Sequence, residues 1–166
     1  MKQSVILLLG SNDDDASAIV ARAIDIVGLA IGEVVCCSAE YRSEPYGFSA
    51  ENEFINRAME ITTNADAYEV LRRINLIEAL LGRDRTKEQE VKSITGEEYA
   101  SRPIDIDIIF YGDSTFDNER LTIPYHYLHE RAYALRPVAE IAPHREHPAL
   151  RQTPKQMLEE LTAKHE

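Results

Sequence analysis

Two aspartates interrupt an otherwise apolar segment of the chain, residues 102–111 (Arg-Pro-Ile-Asp-Ile-Asp-Ile-Ile-Phe-Tyr). In an extended strand, side chains two positions apart point to the same face, so Asp105 and Asp107 project together, roughly 7 Å apart along the strand. The isoleucines that alternate with them point to the opposite face and into a core. Two carboxylates on a half-buried surface repel each other and lose hydration, which predicts a positively charged group between them.

The simplest such group is a divalent cation, and the residue types favour Mg²⁺. Carboxylate oxygens with no Cys or His beside them suit Mg²⁺ better than zinc. Mg²⁺ commonly takes one or two carboxylates together with substrate phosphates, so a pair of ions could bridge the phosphates of a nucleotide during group transfer. From the residues alone, a structural pair satisfied by Arg102 or by backbone donors is an equally valid interpretation.

Arginines are concentrated around this segment, at Arg83, Arg85, Arg102, Arg120, Arg131 and Arg136. A guanidinium group can donate two hydrogen bonds at once to a phosphate, although arginines also balance carboxylates on ordinary solvated surfaces. Residues 83–101 are highly charged and show no helical or strand period, which predicts a structureless segment that is a lid, a binding loop or disordered. Such a lid could carry Arg83 and Arg85 over a nucleotide and exclude water, the competing acceptor.

The composition of the whole chain limits the alternatives. A length of 166 residues with 44% hydrophobic residues predicts one domain spanning residues 1–166. The net charge of −11 argues against a general nucleic-acid binder, and no apolar run approaches the ~20 residues of a membrane span. Neither a Walker-type loop nor a Gly-x-Gly-x-x-Gly motif is present. The adjacent Cys36 and Cys37 fit a reducing cytosol, and a cytoplasmic monomer is expected.

The elements that position these residues are predicted in the order strand, helix, strand, strand, helix, strand. The strands are residues 5–9, 33–42, 54–62 and the segment with the two aspartates. The first helix begins after residues 13–15, and the second spans residues 67–81 with Gly82 as its C-terminal cap. Glu78 is expected on a solvated flank of the second helix. A terminal helix is expected from Thr153, because Pro154 and Gln156 complete a capping box. This order is typical of an α+β fold, a ferredoxin-like βαββαβ sandwich with an antiparallel sheet, helices on one face and C-terminal helical extensions.

Seven short motifs occur in order along the chain. They are Leu-Leu-Leu-Gly-Ser-Asn (7–12), Tyr-Arg-Ser-Glu-Pro-Tyr-Gly (41–47), Phe-Ile-Asn (54–56), Ile-Glu-Ala-Leu-Leu-Gly-Arg-Asp-Arg (77–85), Arg-Pro-Ile-Asp-Ile-Asp-Ile-Ile (102–109), Arg-Leu-Thr-Ile-Pro (120–124) and His-Glu-Arg-Ala-Tyr (129–133). Together they resemble the 6-hydroxymethyl-7,8-dihydropterin pyrophosphokinases of folate biosynthesis, over nearly the full length of the chain. The resemblance implies an enzyme that transfers the terminal pyrophosphoryl group of ATP to the hydroxymethyl oxygen of a reduced pterin and releases AMP.

The resemblance also implies roles for individual residues. Asp105 and Asp107 match the aspartates that hold two Mg²⁺ ions. Arg83 and Arg85 match mobile-loop arginines that assist catalysis, and Arg102 matches an arginine near the nucleotide and the loop. The positions that match the nucleotide side are Leu71, Asn75, Glu78, Arg102, Ile108, Arg120, Leu121, Thr122, His126 and Arg131. The positions that match the pterin pocket, in which aromatic rings sandwich the flat bicycle and an amide bonds its edge, are Ser43, Tyr46, Phe54, Asn56 and Tyr133.

Three positions depart from the family pattern. Tyr125 stands where a histidine is usual and alters one nucleotide contact, Glu44 replaces a common proline in the pocket loop, and Tyr99 lies near a frequent tryptophan of the mobile loop. The loop between Arg85 and Arg102 is also longer than is typical. An active enzyme is still expected, because the metal pair and the arginines are present. The remaining alternatives are a module that senses a small ligand without turnover and a related enzyme that transfers pyrophosphate to a different alcohol.

Overall fold

The apolar segment near the N-terminus forms the central strand of the structure, a computed structural model that describes residues 1–44, 52–96 and 102–164. The strands are β1 (Gln3–Ser11), β2 (Glu33–Cys37), β3 (Tyr41–Ser43), β4 (Phe54–Thr63), β5 (Asp105–Tyr111), β6 (Phe116–Asp117) and β7 (Thr122–Ile123). The helices are α1 (Ala16–Ala30), α2 (Ala67–Leu80), α3 (Arg85–Thr95), α4 (Ala132–Ile141) and α5 (Pro154–Lys164), with a 3-10 turn at Leu128–Glu130. None of the helices in the described part of the chain is long and apolar enough to cross a membrane.

One antiparallel sheet carries the fold. Its strand order is β2-β4-β1-β5, and β3 also pairs with β4. Each of these pairings is antiparallel. In the βαββαβ unit, β2 and β3 together take the place of the second strand, and both pair with β4. The first strand, β1, therefore lies between β4 and β5. The predicted α+β, ferredoxin-like fold is confirmed.

Helices cover both faces of the sheet. α1 and α2 pack on one face, where Val5, Leu7 and Leu9 of β1 are fully buried. α4, α5 and the 3-10 turn form a C-terminal layer on the opposite face, against Ile6 and Leu8. Because β1 is buried on both sides, it is apolar at every position from 5 to 9. The two helices of the βαββαβ unit share one face as predicted, and the C-terminal extensions cover the other.

A β-bulge orients the strand that carries the two aspartates. The register between β1 and β5 shifts by one residue after Ile6, and Ile109 is the extra residue of β5. The isoleucines at alternate positions before the bulge are buried in the core on the α1–α2 side, whereas Ile109 is buried under the C-terminal layer. Asp105 and Asp107 therefore share the face of Ile109, and the alternation predicted for this segment is confirmed.

Local capping signals predicted two helix ends correctly. The Thr153 hydroxyl accepts a hydrogen bond from the Gln156 amide at 3.2 Å, and the Gln156 side chain accepts one from the Thr153 amide at 2.9 Å. α2 ends at Leu80, and Gly82 follows at φ +100°, a left-handed conformation that favours glycine. Both signals are short in range, so they can be recognised before the fold is known.

The prediction that residues 83–101 lack structure is wrong, because α3 lies within them. The Asp84 carboxylate caps its first turn by accepting a hydrogen bond from the Lys87 amide at 3.0 Å, and Gly96 ends it at φ +76°. No side chain of α3 is buried. A helix that buries no apolar side chain shows no apolar period, which is why the sequence pattern did not reveal it.

The second predicted strand, residues 33–42, is divided into β2 and β3. The division lies at Ser38, whose amide donates to the Ala58 carbonyl at 2.8 Å and whose hydroxyl accepts from the Ala58 amide at 2.9 Å. Glu140 of α4 then accepts hydrogen bonds from the Ala39 amide and the Tyr41 hydroxyl. The C-terminal layer therefore fixes the start of β3, the strand that ends at Ser43.

Candidate active site

A cavity of about 620 Å³ is lined by residues of four strands, of the C-terminal layer and of the segments flanking α3. The lining residues are Leu8, Gly10, Ser43, Glu44, Phe54, Asn56, Arg83, Arg85, Arg102, Asp105, Asp107, Tyr125 and Tyr133. The cavity brings together both predicted metal carboxylates, all three predicted catalytic arginines and four of the predicted pterin residues. Tyr46, the other predicted pterin residue, and Tyr99 lie outside the described residues.

The register of the sheet sets the distance between the two ends of this cavity. Gly10 of β1 pairs with Asn56 of β4 on one side and with Asp105 of β5 on the other. Neighbouring strands lie ~4.8 Å apart, so the strand positions of the amide and the carboxylate are separated by about 10 Å. A Cβ atom at Gly10 would lie 3.0 Å from Oδ1 of Asn56. Glycine therefore keeps the floor of the cavity open between its two ends.

The two aspartates have different surroundings. The side chain of Asp105 is 31% exposed and accepts a 2.9 Å hydrogen bond from Arg83. The pKa of Asp107 is raised well above its usual range, mainly because burial removes its hydration and further because the carboxylates of Asp105 and Glu78 are close. The charges of Arg83 and Arg102 oppose this shift without cancelling it. A cation beside Asp107 would relieve the unfavourable charge.

Arg83 is surrounded by three carboxylates. Its side chain is only 4% exposed. Nε and Nη2 each donate to an oxygen of Glu88 at 3.0 Å, and Nη1 donates to Glu78 at 3.0 Å and to Asp105 at 2.9 Å. Burial alone would lower the pKa of Arg83, but the hydrogen bonds and charges of these carboxylates outweigh burial and raise it. The guanidinium therefore stays charged and offsets part of the negative charge at the carboxylate end of the cavity.

The expectation that Glu78 lies on a solvated flank is wrong. Its side chain is 1% exposed and accepts hydrogen bonds from the Ile106 amide at 2.8 Å, from Arg83 at 3.0 Å and from Arg85 at 2.6 Å. Loss of hydration raises the pKa of Glu78, against the charge of Arg83. The carboxylate thus ties α2 to β5 and orients two arginines. A sequence signal was available, because Glu78 follows Ile74 by four residues and so falls on the apolar stripe of the helix.

The amide of Asn56 lies at the other end of the cavity. Asn56 is 3% exposed, and its Nδ2 donates a 2.8 Å hydrogen bond to the Ser43 hydroxyl of β3. Phe54 lines the same cavity, because side chains two positions apart on a strand share a face. A ligand at this end meets an aromatic ring together with an amide held in a fixed orientation. Such a pair suits a flat heterocycle with polar edges.

Two tyrosines line the cavity from the C-terminal layer and the loop before it. The hydroxyls of Tyr125 and Tyr133 are 2.8 Å apart, a hydrogen-bonding distance. Burial raises the pKa of both phenols, and the charge of Asp107 adds to the rise. Tyr133 is one of the residues predicted for the pterin pocket, whereas the family pattern predicts Tyr125 only as an altered nucleotide contact. Glu44, a second departure from the family pattern, also lines the cavity.

The predicted nucleotide-side residues other than Arg102 do not line this cavity. Glu78 is the buried glutamate of α2 described above. Three further residues of this set pack in or against the core on the α1–α2 side: Leu71, Ile108 and Leu121. Three are exposed: Asn75, Thr122 and His126. The guanidinium of Arg120 lies 4.9 Å from the centre of the Tyr68 ring, and that of Arg131 lies 4.7 Å from the centre of the Tyr127 ring. Contact of these residues with a nucleotide stays a prediction.

Sequence comparison identifies relatives of the chain. A profile of the family described as 7,8-dihydro-6-hydroxymethylpterin-pyrophosphokinase (HPPK) matches residues 6–143. The 2-amino-4-hydroxy-6-hydroxymethyldihydropteridine pyrophosphokinase of Methylorubrum extorquens is 37% identical over 136 residues, which cover 81% of this chain and 80% of that protein. The protein of the same name from Aquifex aeolicus is 30% identical over 162 residues, which cover 97% of this chain and 94% of that protein.

A solved structure has the same fold. The wild-type HPPK-DHPS of Plasmodium falciparum matches with a TM-score of 0.76 at 15% sequence identity. The match covers 99% of this chain but only 42% of that longer chain. The solved structure shows the fold, and the profile match and the two relatives show the family: the chain belongs to the 7,8-dihydro-6-hydroxymethylpterin-pyrophosphokinase family.

Proposed function

We propose that the chain transfers pyrophosphate from ATP to the hydroxymethyl group of 6-hydroxymethyl-7,8-dihydropterin, giving AMP and the pterin diphosphate in folate biosynthesis. Membership of the family supports this reaction. The geometric observation that carries the proposal is the spacing across Gly10, where an amide end and a carboxylate end are separated by about 10 Å in one cavity. A bicyclic ring bound at the amide end can extend its one-carbon arm toward the carboxylates.

The proposed cofactor is a pair of Mg²⁺ ions held by Asp105 and Asp107. The hard carboxylate oxygens suit this ion, and the raised pKa of Asp107 marks a carboxylate with too little positive charge around it. In residues 1–44, 52–96 and 102–164, no group of three or more His, Cys, Asp or Glu side chains is arranged to hold a metal. Phosphate oxygens and water are therefore the remaining ligands, as is usual for Mg²⁺. When bound, the ions neutralise charge on the phosphates.

The pterin end of the cavity binds and orients the acceptor. Asn56 bonds the polar edge of the ring, and its orientation is fixed by the Nδ2 bond to Ser43. Phe54 and Tyr133 provide aromatic surface for the ring faces. Tyr46 is proposed as a further contact on the basis of its motif. These contacts hold the hydroxymethyl oxygen near the phosphate, which lowers the entropic cost of the transfer.

The arginines bind the phosphates. Arg85 is 55% exposed and lines the cavity, so it can meet a nucleotide that arrives from solvent. The Nε and Nη2 donors of Arg83, which now bond Glu88, can instead donate to phosphate oxygens. Arg102 adds a third positive charge at the cavity wall. The other proposed nucleotide contacts are Leu71, Asn75, Glu78, Ile108, Arg120, Leu121, Thr122, His126 and Arg131.

Release of AMP tests the proposed function directly. The purified chain is incubated with ATP, Mg²⁺ and 6-hydroxymethyl-7,8-dihydropterin, and AMP and the pterin diphosphate are measured by chromatography. Equal amounts of both products are expected, and chelation of the metal with EDTA should abolish both.

A matched control replaces the acceptor with 6-methyl-7,8-dihydropterin, which keeps the ring but lacks the hydroxyl group. AMP release should then fall to the background rate. AMP release that does not depend on the hydroxyl, or no AMP with the complete mixture, would contradict the proposed reaction.

We also propose that the chain works as a cytosolic monomer with a single domain. Cys36 and Cys37 are both free thiols, which agrees with a reducing compartment. Light scattering during size-exclusion chromatography checks the oligomeric state. A particle of twice the 18.8 kDa chain mass would contradict the monomer.

A further inference from the structure

We infer that Tyr125 is a positioning residue for the pterin subsite, because its hydroxyl holds the Tyr133 ring in the orientation that receives the heterocycle. The inference rests on the proposed function and goes beyond it. It assigns a role in pterin recognition to a loop position that sequence motifs place on the nucleotide side. The ligand concerned is the flat, polar-edged heterocycle, and the phosphates are not involved.

Tyr125 is fixed to the carboxylate end of the cavity. Its backbone amide donates a 3.1 Å hydrogen bond to the carbonyl of Ile109, two residues after Asp107 on β5. Its ring also meets the Tyr127 ring edge-on, with 6.1 Å between the ring centres. The position of the Tyr125 hydroxyl is therefore set by the sheet and by its own loop, independently of any ligand.

Tyr133 is fixed to a different element. It is the second residue of α4, and the next two residues, Ala134 and Leu135, are fully buried under the sheet. Its backbone is therefore anchored by the core, whereas its ring lies at the cavity wall, where its orientation depends on rotation about its side-chain bonds. The 2.8 Å contact between the two hydroxyls restrains that rotation. The hydrogen bond thus connects β5, through Tyr125, to the aromatic wall of the pterin subsite.

The energetics of two half-buried hydroxyls make this role testable. Each hydroxyl satisfies the other, so removing one leaves its partner without a hydrogen bond in a place where water is partly excluded. Removing both leaves no unsatisfied hydroxyl, but the Tyr133 ring still lacks its restraint. All three variants lose the same hydrogen bond, so the loss in the double variant should be no larger than that in either single variant, whereas independent contributions would add.

The experiment measures steady-state kinetics of the full chain for Tyr125→Phe, Tyr133→Phe and the double variant. Each single change should raise KM for 6-hydroxymethyl-7,8-dihydropterin about tenfold, since the Tyr133 ring loses its orientation. The KM for ATP should change less than about twofold, because the phosphate contacts are untouched. The double variant should show a rise of about tenfold again, and not the rise of about a hundredfold that two independent losses would give.

Tyr127→Phe is the matched control, since it removes a hydroxyl from the same loop but keeps the ring that contacts Tyr125 and Arg131, and Tyr127 is partly exposed to solvent. It should leave both KM values unchanged, and thermal unfolding of every variant checks that the fold is intact. Additive losses in the double variant, or an equal rise of KM for ATP and pterin, would overturn the inference.

A binding assay separates this inference from the proposed reaction. The affinity for 6-hydroxymethylpterin is measured by its fluorescence, with Mg²⁺ and a non-hydrolysable ATP analogue present, so no turnover is needed. The same pattern is expected, with both single variants and the double variant weakened to a similar extent. An inactive wild-type chain would refute the proposed reaction, and the binding pattern would still decide the role of Tyr125.

Discussion

The two halves of the cavity are held in place by different forces. In the strand-borne half, Asn56 and Asp107 project from strands whose other faces are packed in the core. In the helix-borne half, α3 buries no side chain, and Arg83 joins it to the sheet through the bidentate ion pair with Glu88. Apolar packing therefore sets the positions of the first half, whereas charge sets those of the second. A ligand that carries charge can rearrange only the second half without disturbing the core.

This difference matches the chemistry assigned to each half. The pterin is a neutral, flat molecule, and a rigid floor binds it at little entropic cost. The phosphates carry high charge, and the ion pairs around Arg83 provide groups that can change partners, whereas the proposed cations bind to the aspartates of the strand-borne half. Substitutions that remove charge from one half of the cavity at a time test this difference between the two halves.

The largest effect is expected for Asp107→Asn in the strand-borne half. The change keeps the shape of the side chain but removes the charge that holds the cation, so turnover should fall by at least about 10³-fold. The free energy of unfolding should stay the same or rise, because Asp107 is a carboxylate whose burial is unfavourable. AMP release and urea unfolding measure the two effects.

Asp117→Asn is the control for charge removal, because Asp117 is an exposed residue of β6 that does not line the cavity. It should leave turnover unchanged. Near-wild-type AMP production by Asp107→Asn, or by Asp105→Asn, would contradict the two-ion site.

A smaller loss of turnover, with a larger loss of stability, is expected for Arg83→Ala. Removing the guanidinium leaves Glu78, which is 1% exposed, without its main countercharge, so the free energy of unfolding should fall by about 3–5 kcal/mol. The chemical step should slow by about 10²–10³-fold, while ATP binding weakens less. Single-turnover kinetics and nucleotide binding separate these quantities.

Arg85→Ala is the matched comparison, because Arg85 also bonds Glu78 but is 55% exposed. An exposed ion pair contributes little, so this change should cost less than about 1 kcal/mol. Equal loss of ATP affinity and of rate in Arg83→Ala would make Arg83 an ordinary ligand contact and remove the distinction between the two arginines.

The contrast between the halves also explains what could be predicted from the sequence. The two aspartates of the strand-borne half follow from alternation, since Asp105 and Asp107 alternate with buried isoleucines in a short window of sequence. Asn56 interrupts the alternation of its strand, and only the Phe-Ile-Asn motif of the family resemblance indicates its role. The order of elements follows from equally local signals, such as the cap at Gly82.

The helix-borne half could not be predicted in the same way. α3 has no apolar period because it buries no apolar side chain, although Asp84 and Gly96 mark its ends. The ion pairs of Arg83 and the contact between Tyr125 and Tyr133 join elements that are separate in sequence. Their geometry depends on how the C-terminal layer and α2 pack on the sheet, which no local pattern encodes.

The smallest effect is expected for Glu88→Gln, which is also the most direct test of whether charge holds the helix-borne half in place. An isolated helix of 11 residues is marginal in water, so α3 needs contacts with the rest of the chain to persist. Glutamine keeps the shape of Glu88 but has one acceptor oxygen and no charge, so the bidentate bond to Arg83 is lost. Hydrogen exchange of the α3 amides should accelerate about tenfold, while amides of β1 and β4 should not change.

Glu90→Gln is the control, because Glu90 is an exposed residue on the same helix and removes the same charge. Its exchange rates should equal those of the wild type. Added salt should have a similar but weaker effect on the wild-type chain, since Glu88 is only 14% exposed and its ion pair is partly shielded from screening. If the protection of α3 survives Glu88→Gln, charge does not hold the helix, and both halves of the cavity must then depend on packing.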